Sequence, residues 1–154
     1  MPADHGFLAE IEASVKGGSW QESLARILAE FGADSGTIHL LGNDGLLHLK
    51  TASAGIPQVV LDTVREVPVG KGMAGLAVER KQPVNACNIQ TDTSGDVRPG
   101  ARATGLQGSI VVPILRGSEA IGALGIANRD ERTFTDDEAQ ELLEVGRVLG
   151  RVVL

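Results

Sequence analysis

Apolar positions near the start of the chain repeat with a helical period. Phe7, Leu8, Ile11 and Val15 share one face, and Gly17-Gly18 interrupts the pattern. Ser19-Trp20-Gln21-Glu22 has the form of a capping box, in which the serine hydroxyl accepts from an otherwise unpaired amide and the glutamate reaches back. Trp20, Leu24, Ile27, Leu28 and Phe31 then fall on one helical face, and Gly32 suits the left-handed residue that closes a helix. The character of the chain changes after that. Ser35–Leu41 and Leu46–Ala54 flank Gly42-Asn43-Asp44-Gly45, whose residues tolerate positive φ, so the segment predicts a hairpin. Pro57–Glu66 carries Val60, Leu61 and Val64 and reads as a short helix, followed by an extended Val67-Pro68-Val69. Lys71–Arg80 reads as a second short helix, opened by glycines and ended by Lys81-Gln82-Pro83, and Val84–Ile89 as a strand. A second hairpin is predicted from Ser109–Leu115 and Ala120–Ala127 about Arg116-Gly117-Ser118-Glu119. Pro113 donates nothing to a ladder, so it implies an edge or a bulge. Thr135-Asp136-Asp137-Glu138 is a second capping box, and the helix it opens carries Leu142, Leu143, Leu149 and Val153 on one face.

This order, with helices at both ends and two hairpins between, predicts a mainly antiparallel sheet with the terminal helices packed on one face. The length of 154 residues fits a single domain over 1–154, with a core over roughly 19–154 and an N-terminal helix within 1–18 available for dimerisation. Gln90–Leu106 stands apart. It is long and polar, and such inserts in compact domains usually carry function.

Composition narrows the partners. The net charge of −6 repels phosphate backbones and anionic lipid, and with three Phe, one Trp and no Tyr there is little to stack bases on, so neither nucleic acid nor membrane is expected. No apolar run is long enough to span a bilayer, and the first residues do not have the basic-then-apolar form of a secretion signal, so a cytoplasmic location is expected. The single cysteine, Cys87, permits neither an intramolecular disulfide nor a cysteine-based zinc site.

Five segments together resemble a known family. Val67-Pro-Val-Gly-Lys-Gly-Met-Ala-Gly-Leu-Ala-Val-Glu-Arg-Lys-Gln-Pro-Val84 resembles the middle of a GAF domain. Asn88-Ile89 and the polar loop after it, Ser109-Ile-Val-Val-Pro-Ile-Leu115, Ala120-Ile-Gly-Ala-Leu-Gly-Ile126, and Phe134-Thr135 with its acidic helix start resemble the segments that follow in that family, in order. The resemblance covers roughly residues 7–154. It implies an α+β fold: a central, mainly antiparallel sheet, N- and C-terminal helices on one face, and on the other a ligand pocket beneath the loop after Ile89. Ligand-pocket candidates are then Met73, Cys87, Asp92, Asp96, Arg98 and Arg102.

Each motif has a plainer reading beside the functional one. Gly70-Lys71-Gly72-Met73-Ala74-Gly75 fits G-x-G-x-x-G, but the preceding strand is too short and the following helix meets Pro83 too soon for a dinucleotide site. The glycines suit a short helix packed tightly over the pocket, whose first amides could meet an anionic group. Cys87 reads as a small buried strand residue. GAF-fold free-methionine-(R)-sulfoxide reductases use several cysteines, and this chain has one. His39 and His48, on the two arms of the first hairpin, read as ordinary surface or half-buried histidines, since no third metal ligand is near in sequence. Asn128, Arg129, Phe134 and Glu138 form a degenerate version of the signature of cyclic-nucleotide-binding GAF domains, with an Arg129–Glu138 pair expected in the supporting role. Gly146 and Gly150, four apart beside Leu142, Leu149 and Val153, suggest a homodimer built on the terminal helices.

The expected function is a non-catalytic sensory or regulatory domain that binds an unidentified small molecule. No complete haem, bilin, flavin, NAD or metal signature is present. The alternatives are a redox enzyme related to the sulfoxide reductases and a ligandless dimerisation module.

Overall fold

The computed structural model describes residues 5–92, 94, 97 and 105–153. Two helices, α1 (His5–Lys16) and α2 (Trp20–Phe31), lead into a six-stranded sheet. Its strands are β1 (Ser35–Leu41), β2 (Leu46–Ala52), β3 (Glu66–Pro68), β4 (Val84–Ala86), β5 (Ser109–Arg116) and β6 (Glu119–Ala127). Helix α3 (Gln58–Val64) precedes β3, α4 (Gly72–Arg80) precedes β4, and α5 (Asp136–Val152) ends the chain. The spatial order is β3-β2-β1-β6-β5-β4, and every neighbouring pair is antiparallel. This is the α+β architecture that the sequence predicts.

Alternation along the strands makes the two faces different. Ile38 of β1, Ile110, Val112 and Ile114 of β5, and Leu124 and Ile126 of β6 are buried with Ile11, Leu24, Ile27, Leu142 and Leu149 from the terminal helices. On the other face Val111 and Ala123 join Leu47 and Val67 and are covered by Ala77 and Val78 of α4.

The helix ends follow their local chemistry. Ser19 Oγ accepts from the Glu22 amide at 3.3 Å, while the Glu22 carboxylate turns to Arg26 instead of closing the box. Gly32 closes α2 at φ 62°. Thr135 and Glu138 make both halves of their box, at 3.1 and 2.9 Å. Pro113 lies beyond the end of β4, whose pairing on β5 stops at Val111, and just before a register shift at Ile114/Leu115. Its missing N–H therefore falls where β5 is locally an edge.

Three expectations change. The strand predicted to reach Ile89 stops at Ala86, because the Ile89 amide donates to the Gln107 carbonyl at 2.7 Å and Asn88 Oδ1 holds the Gln90 amide in a side-chain turn. Cys87 is exposed rather than buried, one residue past the strand end. Gly146 and Gly150 do not offer a face to a second copy. A Cβ on Gly146 would meet the Pro113 carbonyl oxygen and one on Gly150 the Leu115 carbonyl oxygen, so both glycines serve the close seating of α5 on β5. Leu142 and Leu149 beside them are fully buried in the same contact.

Candidate functional site

The cavity lies on the sheet face away from the terminal helices and measures about 430 Å³. Its floor is the centre of the sheet, and the residues there explain why it is hollow. Ser35, Thr37 and His39 point from β1, Ser109 and Val111 from β5, and Gly125 and Ala127 from β6. Apart from Val111 and His39 these are small, so α3 and α4 bridge a gap that their own side chains do not fill. Ile56, Val60, Thr63 and Val64 form one wall and Lys71, Gly72, Met73 and Ala74 another. Ile89, just before the polar insert, and Leu106, its last residue, line the cavity as well. The insert's base is fastened there by the Ile89–Gln107 bond and by Gln90 Nε2 donating to the Leu106 carbonyl at 2.8 Å.

The polar groups at the cavity are few and ordered. Gly75 is packed so closely over the preceding turn that a Cβ would strike the Pro68 carbonyl, which brings the start of α4 down onto the cavity. The amides of Gly72, Met73 and Ala74, in the first turn of that helix, have no acceptor among the described residues. With the Lys71 side chain they offer a place for one negative charge, and no carboxylate stands among the described lining residues.

His39 is 3% exposed, not the surface or half-buried residue that the sequence suggests. Its Nε2–H donates to the Val64 carbonyl at 2.7 Å, one of the unpaired carbonyls at the end of α3. Burial lowers its pKa from 6.5. The Val64 carbonyl opposes that shift, His48 adds to it, and the net result is a neutral ring. His48 itself bonds Asp44 at 2.9 Å on the outside of the hairpin. Among the described residues no three His, Cys, Asp or Glu side chains gather as metal ligands.

The sequence-derived pocket candidates divide. Met73 lines the cavity. Cys87 and Asp92 do not, and Asp92 instead accepts from the Ser94 amide at 3.2 Å within the insert. Asp96, Arg98 and Arg102 lie outside the described residues. The floor residues Thr37, His39, Ser109 and Gly125 escape motif reading, although the polar alternation Ser35–Thr37–His39 is visible in β1 once that strand is known to be half covered.

The degenerate nucleotide signature is a structural clamp, and its arginine is Arg132. Arg132 Nη2 donates to Glu138 Oε2 at 2.6 Å and Nη1 to Asn128 Oδ1 at 2.9 Å, with the guanidinium 4.3 Å from the Phe134 ring centre. Asn128 Nδ2 donates to the Gly32 carbonyl at 2.8 Å, tying the β6–α5 connection to the end of α2. Arg129 is exposed, and its backbone amide donates to Asp34 Oδ2 at 2.8 Å. Partial burial alone would raise the Glu138 pKa, but the Thr135 amide and Arg132 outweigh it and hold the carboxylate below its ordinary value. None of these four residues lines the cavity.

Fold and cavity together define an α+β domain with a hollow between the sheet and helices α3 and α4. A family model described as GAF domain matches residues 21–153, and the chain belongs to that family. No curated protein matches the chain. The GAF domain of a phosphoenolpyruvate-protein phosphotransferase from Acinetobacter is similar in structure, with a TM-score of 0.76 at 18% identity over 96% of this chain and 90% of that one. A free methionine-R-sulfoxide reductase from Neisseria meningitidis, solved in complex with its substrate, has a TM-score of 0.75 at 19% identity over 99% of this chain and 92% of that one. A domain of a putative two-component sensor histidine kinase protein from Sinorhizobium meliloti 1021 has a TM-score of 0.68 at 17% identity over 86% of each chain. Identities this low speak to the fold. Among the described residues no helix is long and apolar enough to cross a membrane.

Proposed function

We propose that the chain is a sensory or regulatory domain that binds one small molecule between the sheet and helices α3 and α4, without chemical turnover. The cavity carries this reading. Its volume is in the range of small-molecule sites, most of its lining is apolar, and its polar groups converge from β1 and the start of α4. The unpaired amides of Gly72, Met73 and Ala74 beside Lys71 suit a ligand with an anionic group. The sensor kinase domain among the structural neighbours is consistent with a regulatory role, and the reductase shows that this fold holds a small substrate in another protein. Against an enzyme of that second kind, the single thiol of Cys87 lies outside the cavity lining.

Native mass spectrometry of the protein purified from its own host tests the binding half of the proposal. The expected result is a chain carrying one extra small mass that is released on denaturation. An assay for methionine sulfoxide reduction tests the other half, and turnover that disappears in Cys87→Ser would overturn it.

A further inference from the structure

The polar floor of the cavity says more about its occupant than the cavity's size does. A backbone carbonyl can only accept, so the 2.7 Å contact to Val64 puts the ring proton of His39 on Nε2. With that tautomer, and with burial favouring the neutral ring, Nδ1 is left as a lone-pair acceptor. No described side chain or amide donates to it. Among the described residues no side-chain nitrogen or oxygen is sealed from solvent without a partner, so Nδ1 keeps an opening, and the space that His39 lines is the cavity. Thr37, two residues back on the same face of β1, does not bond it. The rest of the lining is mostly apolar, Val60, Val67, Met73 and Val111 among it, with Thr63 and Lys71 as polar exceptions on the walls.

We infer that His39 is the specificity-determining residue of the cavity, and that the ligand is a largely apolar small molecule presenting an N–H or O–H donor to His39 Nδ1, as a pyrrole-type N–H, phenol, alcohol or amide does. This rests on the small-molecule reading above and narrows it. An apolar ligand of the same shape would bury Nδ1 unpaired, and that desolvation is the source of discrimination. Because the same ring holds the end of α3 through Nε2–H, a ligand on Nδ1 is joined through one residue to the helix that walls the cavity.

A fragment library made of isosteric pairs tests this without altering the protein. Indole against benzofuran, and indole-3-acetate against benzofuran-3-acetate, differ in the donor and hardly in shape. Binding is read by ligand-observed NMR, and the His39 ring by ¹⁵N spectra of histidine-labelled protein. The donor member of each binding pair is expected to bind about tenfold or more tightly, and to shift the His39 Nδ1 resonance away from that of a free acceptor. Equal binding of both members, or donor binding that leaves Nδ1 unmoved, overturns the role of His39 and leaves the small-molecule reading standing. A library in which no member enters the cavity overturns that reading, and this inference with it.

Discussion

Arg132, not Arg129, holds Glu138: its Nη2 lies 2.6 Å from Glu138 Oε2, and its second nitrogen reaches Asn128 at 2.9 Å. The two arginines are three residues apart in one loop but differ in what surrounds them. Arg132 is half-buried over Phe134, whereas Arg129 is exposed. Arg132→Ala leaves Glu138 and Asn128 without their shared donor and should cost about 2 kcal/mol in urea denaturation. Arg129→Ala should stay within about 0.5 kcal/mol of the parent. Equal losses would mean that the clamp contributes nothing measurable.

Substituting alanine for Gly150 sets two effects against each other. Helix propensity favours alanine by about 1 kcal/mol. The new Cβ would strike the Leu115 carbonyl, a backbone atom that cannot swing aside, and overpacking of this kind costs about 1–3 kcal/mol or more. Gly150→Ala is therefore expected to lower the melting temperature, and Gly146→Ala to do the same against Pro113. A rise in either case would contradict the seating of α5 on β5.

The buried neutral His39 predicts a pH dependence with a definite sign. Its folded pKa lies below 6.5, so the unfolded chain takes up the proton first as pH falls. The contribution of the neutral ring is complete above 6.5 and is lost as pH drops toward the lower folded value. Urea midpoints across that window should decline, and His39→Gln should remove this part of the slope. An unchanged slope in the variant would show that His39 is not the group responsible.

Exposed Cys87 should react with a chromogenic thiol reagent in the native protein about as fast as in urea. Cys87→Ser should leave both stability and ligand binding unchanged. A thiol protected until unfolding would contradict its position past the end of β4.

The elements were legible because their signals are local. The Ser19 cap, the capping box at Thr135, the Asn43-Asp44-Gly45 turn and the periodicity of Ile27, Leu142 and Leu149 each act over a few residues. The cavity was legible only as a place, bracketed by Ile89 and Leu106. Its floor depends on register: Thr37 lies opposite Gly125, and Ser109 opposite Ala127, only because β1 and β5 both pair with β6. Cys87 could have been placed correctly, since buried Val84 and Ala86 leave Cys87 on the outward side of the alternation. Arg132 gave no such sign, because its partners Gly32 and Asn128 are brought to it by the tertiary fold.

Gly125 offers the most direct test of the cavity as a binding site. It lines the floor with ordinary φ, and a Cβ there would press on a Val111 methyl at 3.2 Å, which must give by a few tenths of an ångström, and meet Thr37 Oγ1 at 3.7 Å. Gly125→Leu should fill the site at a cost in stability of about 1–3 kcal/mol, with the fold of the variant checked by its melting transition. Wild type and Gly125→Leu, each dialysed against small-molecule extract of the host cells, are compared by mass spectrometry of what they retain. The account predicts a compound enriched on the wild type and absent from the folded variant; equal retention by both, or enrichment on neither, would contradict it.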